Sequence, residues 1–189
     1  MIHEVIVTTI SKTNKVHIAP MGIRFQKKQV VISPFKPSQT LENIIENNKA
    51  TINFIDDVRV FAGIVSRHKK DWELSNKKDS NNVPNLVLTN TFYNVIVNDF
   101  KDDEKRPNIV CDVINSETIK PFLGFNRAQF SVIEAAVLIS RLGMIPMEKI
   151  TKEIKYLKIG VDKTAGPHEL EAWDWIQKKI SDYQRNISS

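Results

Sequence analysis

"VHIAPMGIRFQKKQVVISPFKPSQTLENI", residues 16–44, decides the fold. Its opening, "VHIAPMGIRF", has the composition of a strand and pairs back on "EVIVTTI", residues 4–10, through the turn "SKTNK", where Asn14 suits left-handed backbone. Pro20 and Gly22 interrupt that strand; proline in a sheet belongs at an edge or bulge, and strand glycine marks a bulge or a close approach to the backbone. "KKQVVISPF" supplies a third strand that stops at Pro34. Leu41, Ile44 and Ile45 then predict a short helix over about residues 40–48.

Working outward, "KATINFI" at 49–55 reads as a fourth strand, and "DDVRVFAGIV" at 56–65 as its continuation in extended or mixed structure. Three strands, a helix and a strand predict a closed antiparallel barrel with one helix plugging an end. Residues 66–85 read as a long polar surface excursion, apart from Trp72, Leu74 and Val83. Strands are expected again at 86–100 and 108–119, joined by the acidic-then-basic turn "KDDEKRP". From residue 127 the period changes from 2 to 3.6. One helix, with Phe130, Ile133, Ala136 and Val137 inward, is expected to stop at Gly143. A second opens at Pro146 and ends at Gly160, and a third carries Leu170, Trp173, Ile176 and Ile180 inward. The expected class is α+β, mostly β: a barrel domain over 1–122 and a helical segment over 123–189.

Composition narrows the function. With 41% hydrophobic and 26% charged residues, the chain resembles an ordinary globular protein. The formal net charge of +5 is spread along the chain, unlike the clustered stripe of a nucleic-acid binder. Cys111 alone excludes an internal disulfide and a Cys-rich metal site, and reads as a small buried residue. No apolar run approaches the ~20 residues that span a bilayer, and "MIHEVIVTT" lacks a signal-peptide layout. A cytoplasmic protein is the expectation.

The four histidines show no ligand spacing, and no Walker loop, GxGxxG or GxSxG is present. Asp56 and Asp57 read as a solvated turn, and Glu134 as a buried partner for Arg127 or Arg141. Trp173 and Trp175 read as packing and rim residues. What remains is the helix mouth. A helix N-terminus offers unpaired N–H groups and partial positive charge; Ser38 and Thr40 can cap it or donate to an anion, Lys36 adds a full charge, and Pro37 stiffens the approach. The residues alone leave two alternatives open, simple capping with Lys36 exposed, or a phosphate site.

"HIAPMGIRF", "VISPFKPSQTLENI" and "TINFIDDVRVFA" together resemble the FMN-binding split-barrel proteins, on the flavin-reductase-like side of that superfamily. The chain is similar, more narrowly, to a group of split barrels of unassigned function whose C-terminal helical part begins "FNRA", here residues 125–128. The resemblance implies a six-stranded split barrel that dimerises with FMN at the interface. It implies that Met21 and Gly22 meet the flavin ring edge through their backbone, with Pro20 also counted among the cofactor-binding residues. Ser38 and Thr40, aided by Lys36 and with Phe35 beside them, would hold the phosphate, and Arg127 would add a charge from the same or the partner subunit. The "SKTNK" turn departs from the glycine-containing turn of related barrels. Activity is left as a flavin-dependent oxidoreductase, with NAD(P)H as a possible donor, or a non-catalytic module for FMN or deazaflavin. The lack of a well-placed axial histidine argues against haem.

Overall fold

The valine and isoleucine alternation of β1 (His3–Ile10) sends Val5 and Val7 inward, and both are fully buried. A computed structural model describes residues 1–75 and 83–188. β1 pairs with β2 (Val16–Gln26) from Ile10↔Val16 to His3↔Ile23. Between them, Asn14 takes φ 60°, and Ser11 Oγ accepts the N–H groups of Thr13 and Lys15. The two-residue turn Lys27–Lys28, with Lys27 at φ 57°, leads into β3 (Gln29–Ile32). After helix α1 (Gln39–Asn47), β4 (Lys49–Phe54) returns to β1, and the long hairpin of β5 (Thr91–Lys101) and β6 (Asn108–Thr118) completes the sheet. The strands close in the order β1-β2-β3-β6-β5-β4. The expected six-stranded antiparallel barrel is what forms.

The barrel interior is filled by Val5, Val7, Ile23, Val30, Ile32, Ile52, Val95 and Ile109, together with Leu41 and Ile44 from α1. Burying each such side chain contributes about 1.5–3 kcal/mol. α1 is held over β1 by polar contacts as well: Asn43 Nδ2 donates to Thr9 Oγ1 at 2.9 Å, and Asn47 Nδ2 to the Ile10 carbonyl at 2.7 Å. An aromatic cluster also packs on the barrel strands, with Phe54 and Tyr93 edge to face at 4.9 Å and His3 against Phe25 at 5.3 Å. Thr8, Thr51, Asn53 and Asn94 form a fully buried polar patch. Residues 83–86 satisfy it: Thr8 Oγ1 donates to the Pro84 carbonyl and Thr51 Oγ1 to that of Val83, both at 2.7 Å, while Leu86 N–H donates to Asn53 Oδ1 at 2.8 Å. Part of the surface excursion expected at 66–85 therefore packs closely, with Trp72 and Val83 buried; residues 76–82 lie outside the described residues.

The chain divides into two compact units, one of residues 1–55 and 72–122, the other of 56–71 and 123–189. The second is helical. Residues expected to continue β4 in extended or mixed structure form α2 (Arg59–Ser66), which joins α3 (Arg127–Ile139), α4 (Met147–Thr164) and α5 (Pro167–Ser188). Val58 and Ala62 pack in one core with Val132, Ile150, Leu157, Trp173 and Ile176. Asp57 explains the helix start: its Oδ1 accepts the Arg59 N–H at 3.1 Å and its oxygens grip the Arg59 guanidinium. The aspartate is buried, not a solvated turn residue. Burial pushes its carboxyl up, but hydrogen bonds and charge from Arg59, with His168 nearby, hold it below the usual carboxylate range.

Four other expectations about the helices change. α3 buries Ala128, Ser131, Val132, Ala135, Ala136 and Ile139, so its inward face is turned away from Phe130, which is 58% exposed. Glu134 is exposed, and Leu170 is half exposed. Gly160 lies inside α4 instead of ending it, and glycine is needed there for packing, since a Cβ would stand 2.5 Å from Ser131 Oγ and 3.1 Å from the Arg127 carbonyl oxygen. Only glycine lets α3 and α4 approach this closely.

Candidate functional site

β2 and β3 are unequal, and that inequality makes the candidate site. The β2–β3 ladder runs only from Gln26↔Gln29 to Ile23↔Ile32. Residues 16–22 of β2 pair with β1 on one side, and among the described residues no strand pairs with them on the other. All seven are half-buried. Alternate residues of such a strand turn N–H and C=O toward the unpaired edge. Pro20, having no N–H, is tolerated in this stretch. The expected bulge is not present, since β1 and β2 stay in continuous register through Pro20 and Gly22. The open edge comes from the early end of β3. On the Gly22 face, a Cβ would stand 2.8 Å from the Ile2 side chain, so that face is already covered.

The chain leaves β3 opposite Ile23, next to Gly22, and residues 33–38 carry it to α1. Several contacts fix this link. Ser33 Oγ donates to Asn108 Oδ1 at 2.9 Å, and the Arg106 guanidinium donates to the Ser33 carbonyl at 3.1 and 3.2 Å. Arg106 also lies 4.3 Å from the centre of the Phe35 ring, which is otherwise 62% exposed. The Lys36 N–H donates to the Lys105 carbonyl at 2.9 Å, and the Lys36–Pro37 peptide is cis.

At the mouth itself, Ser38 is the N-cap, its Oγ accepting the Leu41 N–H at 3.3 Å. The N–H groups of Gln39 and Thr40, in the first turn, have no intrahelical acceptor. Thr40 is buried as a whole residue, so Ser38 and Gln39 are the residues that the mouth of α1 presents at the surface. Lys36 Nζ donates to Asp102 in the β5–β6 turn, and this neighbour holds the Asp102 carboxyl below the usual carboxylate range. Within the barrel unit, Phe35, Lys36 and Ser38 lie on the link that runs from the β3 end, next to Gly22 of β2, to α1. Arg127 belongs to the helical unit, where it is the exposed first residue of α3. Cys111 has no place in a reactive site: it is buried, and burial pushes its thiol up to about 12.

Asp102, Lys105 and Arg106 escaped the sequence reading. The only signal was the charge pattern of "KDDEKRP", read as a hairpin turn. Its proximity to Lys36 depends on β6 pairing with β3, a contact across more than 70 residues of chain.

An antiparallel barrel with a half-paired strand beside a helix mouth is the split barrel of the flavin-reductase fold. The structure of FMN-bound protein MM1853 from Methanosarcina mazei is similar over 94% of this chain and 94% of that one, with TM-score 0.81 and 21% identity. The styrene monooxygenase flavin reductase of Pseudomonas putida S12 is similar over 62% of this chain and 81% of its own, with TM-score 0.53 and 12% identity. Residues 3–120 match the family model described as "Protein of unknown function (DUF447) N-terminal domain", and residues 126–178 match "Protein of unknown function (DUF447)"; the chain belongs to this family. A relative described as "Uncharacterized protein MJ1453", from Methanocaldococcus jannaschii, is 29% identical over 151 residues, covering 75% of each chain.

Proposed function

We propose that this chain binds FMN on the barrel and works, as a homodimer, as a flavin-dependent oxidoreductase. The observation that carries the proposal is the open edge of β2, which ends at Gly22, where residues 33–38 leave β3 for the mouth of α1, a helix in contact with β2. The donor set fits the two ends of FMN. The positive end of the α1 dipole, the Ser38 hydroxyl and the Lys36 ammonium suit a phosphate dianion. Unpaired strand groups between His17 and Gly22 suit the hydrogen-bonding rim of a flat ring.

The bound flavin would supply the hydride or electron chemistry, and the protein the orientation and electrostatics. This division of labour suits a site that holds cations and backbone dipoles in place of a nucleophile and base. The family relative solved with FMN supports the cofactor, and the similar flavin reductase supports the reaction class. For the dimer, the support is apolar surface on the barrel unit, where Phe25, Phe35, Phe100 and Ile114 are each at least 40% exposed.

Titration with FMN, followed by absorbance and fluorescence, tests the cofactor. Reduction of the loaded protein with NADH or NADPH under anaerobic conditions tests the activity. Flavin binding without reduction by either nucleotide would leave a flavin carrier and remove the NAD(P)H-dependent reductase.

A further inference from the structure

The β5–β6 turn supplies a carboxylate where the proposed site needs positive charge. Lys36 Nζ donates to Asp102, whose side chain is 69% exposed, while that of Lys36 is 33% exposed. The turn does not depend on this ion pair for its position. Its backbone is tied to the helix approach by the Lys36 N–H to the Lys105 carbonyl, and by Arg106 to the Ser33 carbonyl and the Phe35 ring. Asp103 closes it internally, accepting the N–H groups of Lys105 and Arg106 at 2.9 and 2.7 Å. The Asp102 oxygen that meets Lys36 also accepts the Asp103 N–H at 2.9 Å, so the carboxylate stays on the turn, and the Lys36 side chain can leave it for a ligand without moving the backbone on either side. An exposed pair of this kind is weak, and a phosphate dianion on the helix N-terminus is a stronger partner for an ammonium.

We propose that Asp102 is an internal counter-ion that competes with the ligand's phosphate for Lys36, so that the β5–β6 turn sets how strongly the site prefers a phosphorylated flavin. This inference rests on the phosphate placement under Proposed function. It predicts an effect opposite in sign to the loss of a useful contact, because removing the competitor frees Lys36.

The experiment titrates FMN and riboflavin, by quenching of flavin fluorescence, into the full-length protein, Asp102→Asn, Lys36→Met and the double variant. Asp102→Asn should tighten FMN by about twofold to fivefold and leave riboflavin unchanged. In the Lys36→Met background the same substitution should do nothing, which a merely structural role of Asp102 would not produce. Weaker FMN binding in Asp102→Asn, an unchanged FMN affinity, or an equal change for both ligands would overturn the inference while leaving FMN binding itself intact. Failure of the unsubstituted protein to take up FMN would instead overturn the underlying functional proposal. Melting temperatures of the four ligand-free proteins confirm that each is folded before titration.

Discussion

The hydroxyl of Ser38 accepts the N–H of Leu41 at 3.3 Å, and this one contact both starts α1 and shapes the mouth of the proposed site. Cap and ligand site can be separated because a carboxylate caps as well as a hydroxyl does. Ser38→Ala should lower stability by about 1 kcal/mol and weaken FMN. Ser38→Asp should keep the stability, since it caps and complements the helix dipole, yet weaken FMN more, because its charge opposes the phosphate. Denaturant midpoints paired with FMN titrations check both.

Lys36 gives the charge test. Lys36→Met should weaken FMN by about tenfold, the scale of one charged hydrogen bond of 1.5 kcal/mol or so, and leave riboflavin unchanged, since riboflavin lacks the phosphate. Equal losses for the two ligands would move the phosphate away from α1.

In the helical unit, Gly160 permits the close approach of α3 and α4. Gly160→Ala should cost about 1–3 kcal/mol through overpacking. Ser131→Gly in the same chain should recover part of that loss by removing the nearer clash, at 2.5 Å, while the Arg127 carbonyl contact remains. Thermal unfolding of the single and double variants measures the recovery.

Asp57 predicts an acid limb. Its pKa is lowered on folding, so its contribution is present above the unfolded value of 3.8 and is lost as pH falls from there through the folded value. Asp57→Asn should therefore lower stability at neutral pH by about 1–3 kcal/mol, through the weakened charged hydrogen bonds to the Arg59 guanidinium. It should also flatten the decline in stability below about pH 4. Urea midpoints between pH 2.5 and 7 report both effects.

The barrel was legible because its strands carry local signals. Val5 and Val7 alternate inward, Asn14 turns the first hairpin, and Leu41 and Ile44 mark the buried face of α1. α2 was not, because "VRVFAGIV" is β-branched and contains Gly63. What makes it a helix is Asp57 gripping Arg59 and the burial of Val58 and Ala62 against α3 and α5. The inward face of α3 was misplaced toward Phe130, since small Ala128, Ala135 and Ala136 set the seam where helices pack closely. At the site, the helix mouth could be read from "PFKPSQT". Pro20 and Gly22 signalled an edge or a bulge; the edge is what forms, and it arises from the length of β3. Asp102 and Arg106 could not be placed at all without the β3–β6 pairing.

The most direct measurement is the absorbance spectrum of the purified protein titrated with FMN. The account predicts saturable uptake, with the two flavin bands shifted from those of free FMN, quenched flavin fluorescence and a raised melting temperature. A protein whose addition leaves the FMN spectrum and fluorescence as they are in buffer, and whose melting temperature FMN does not raise, would contradict it.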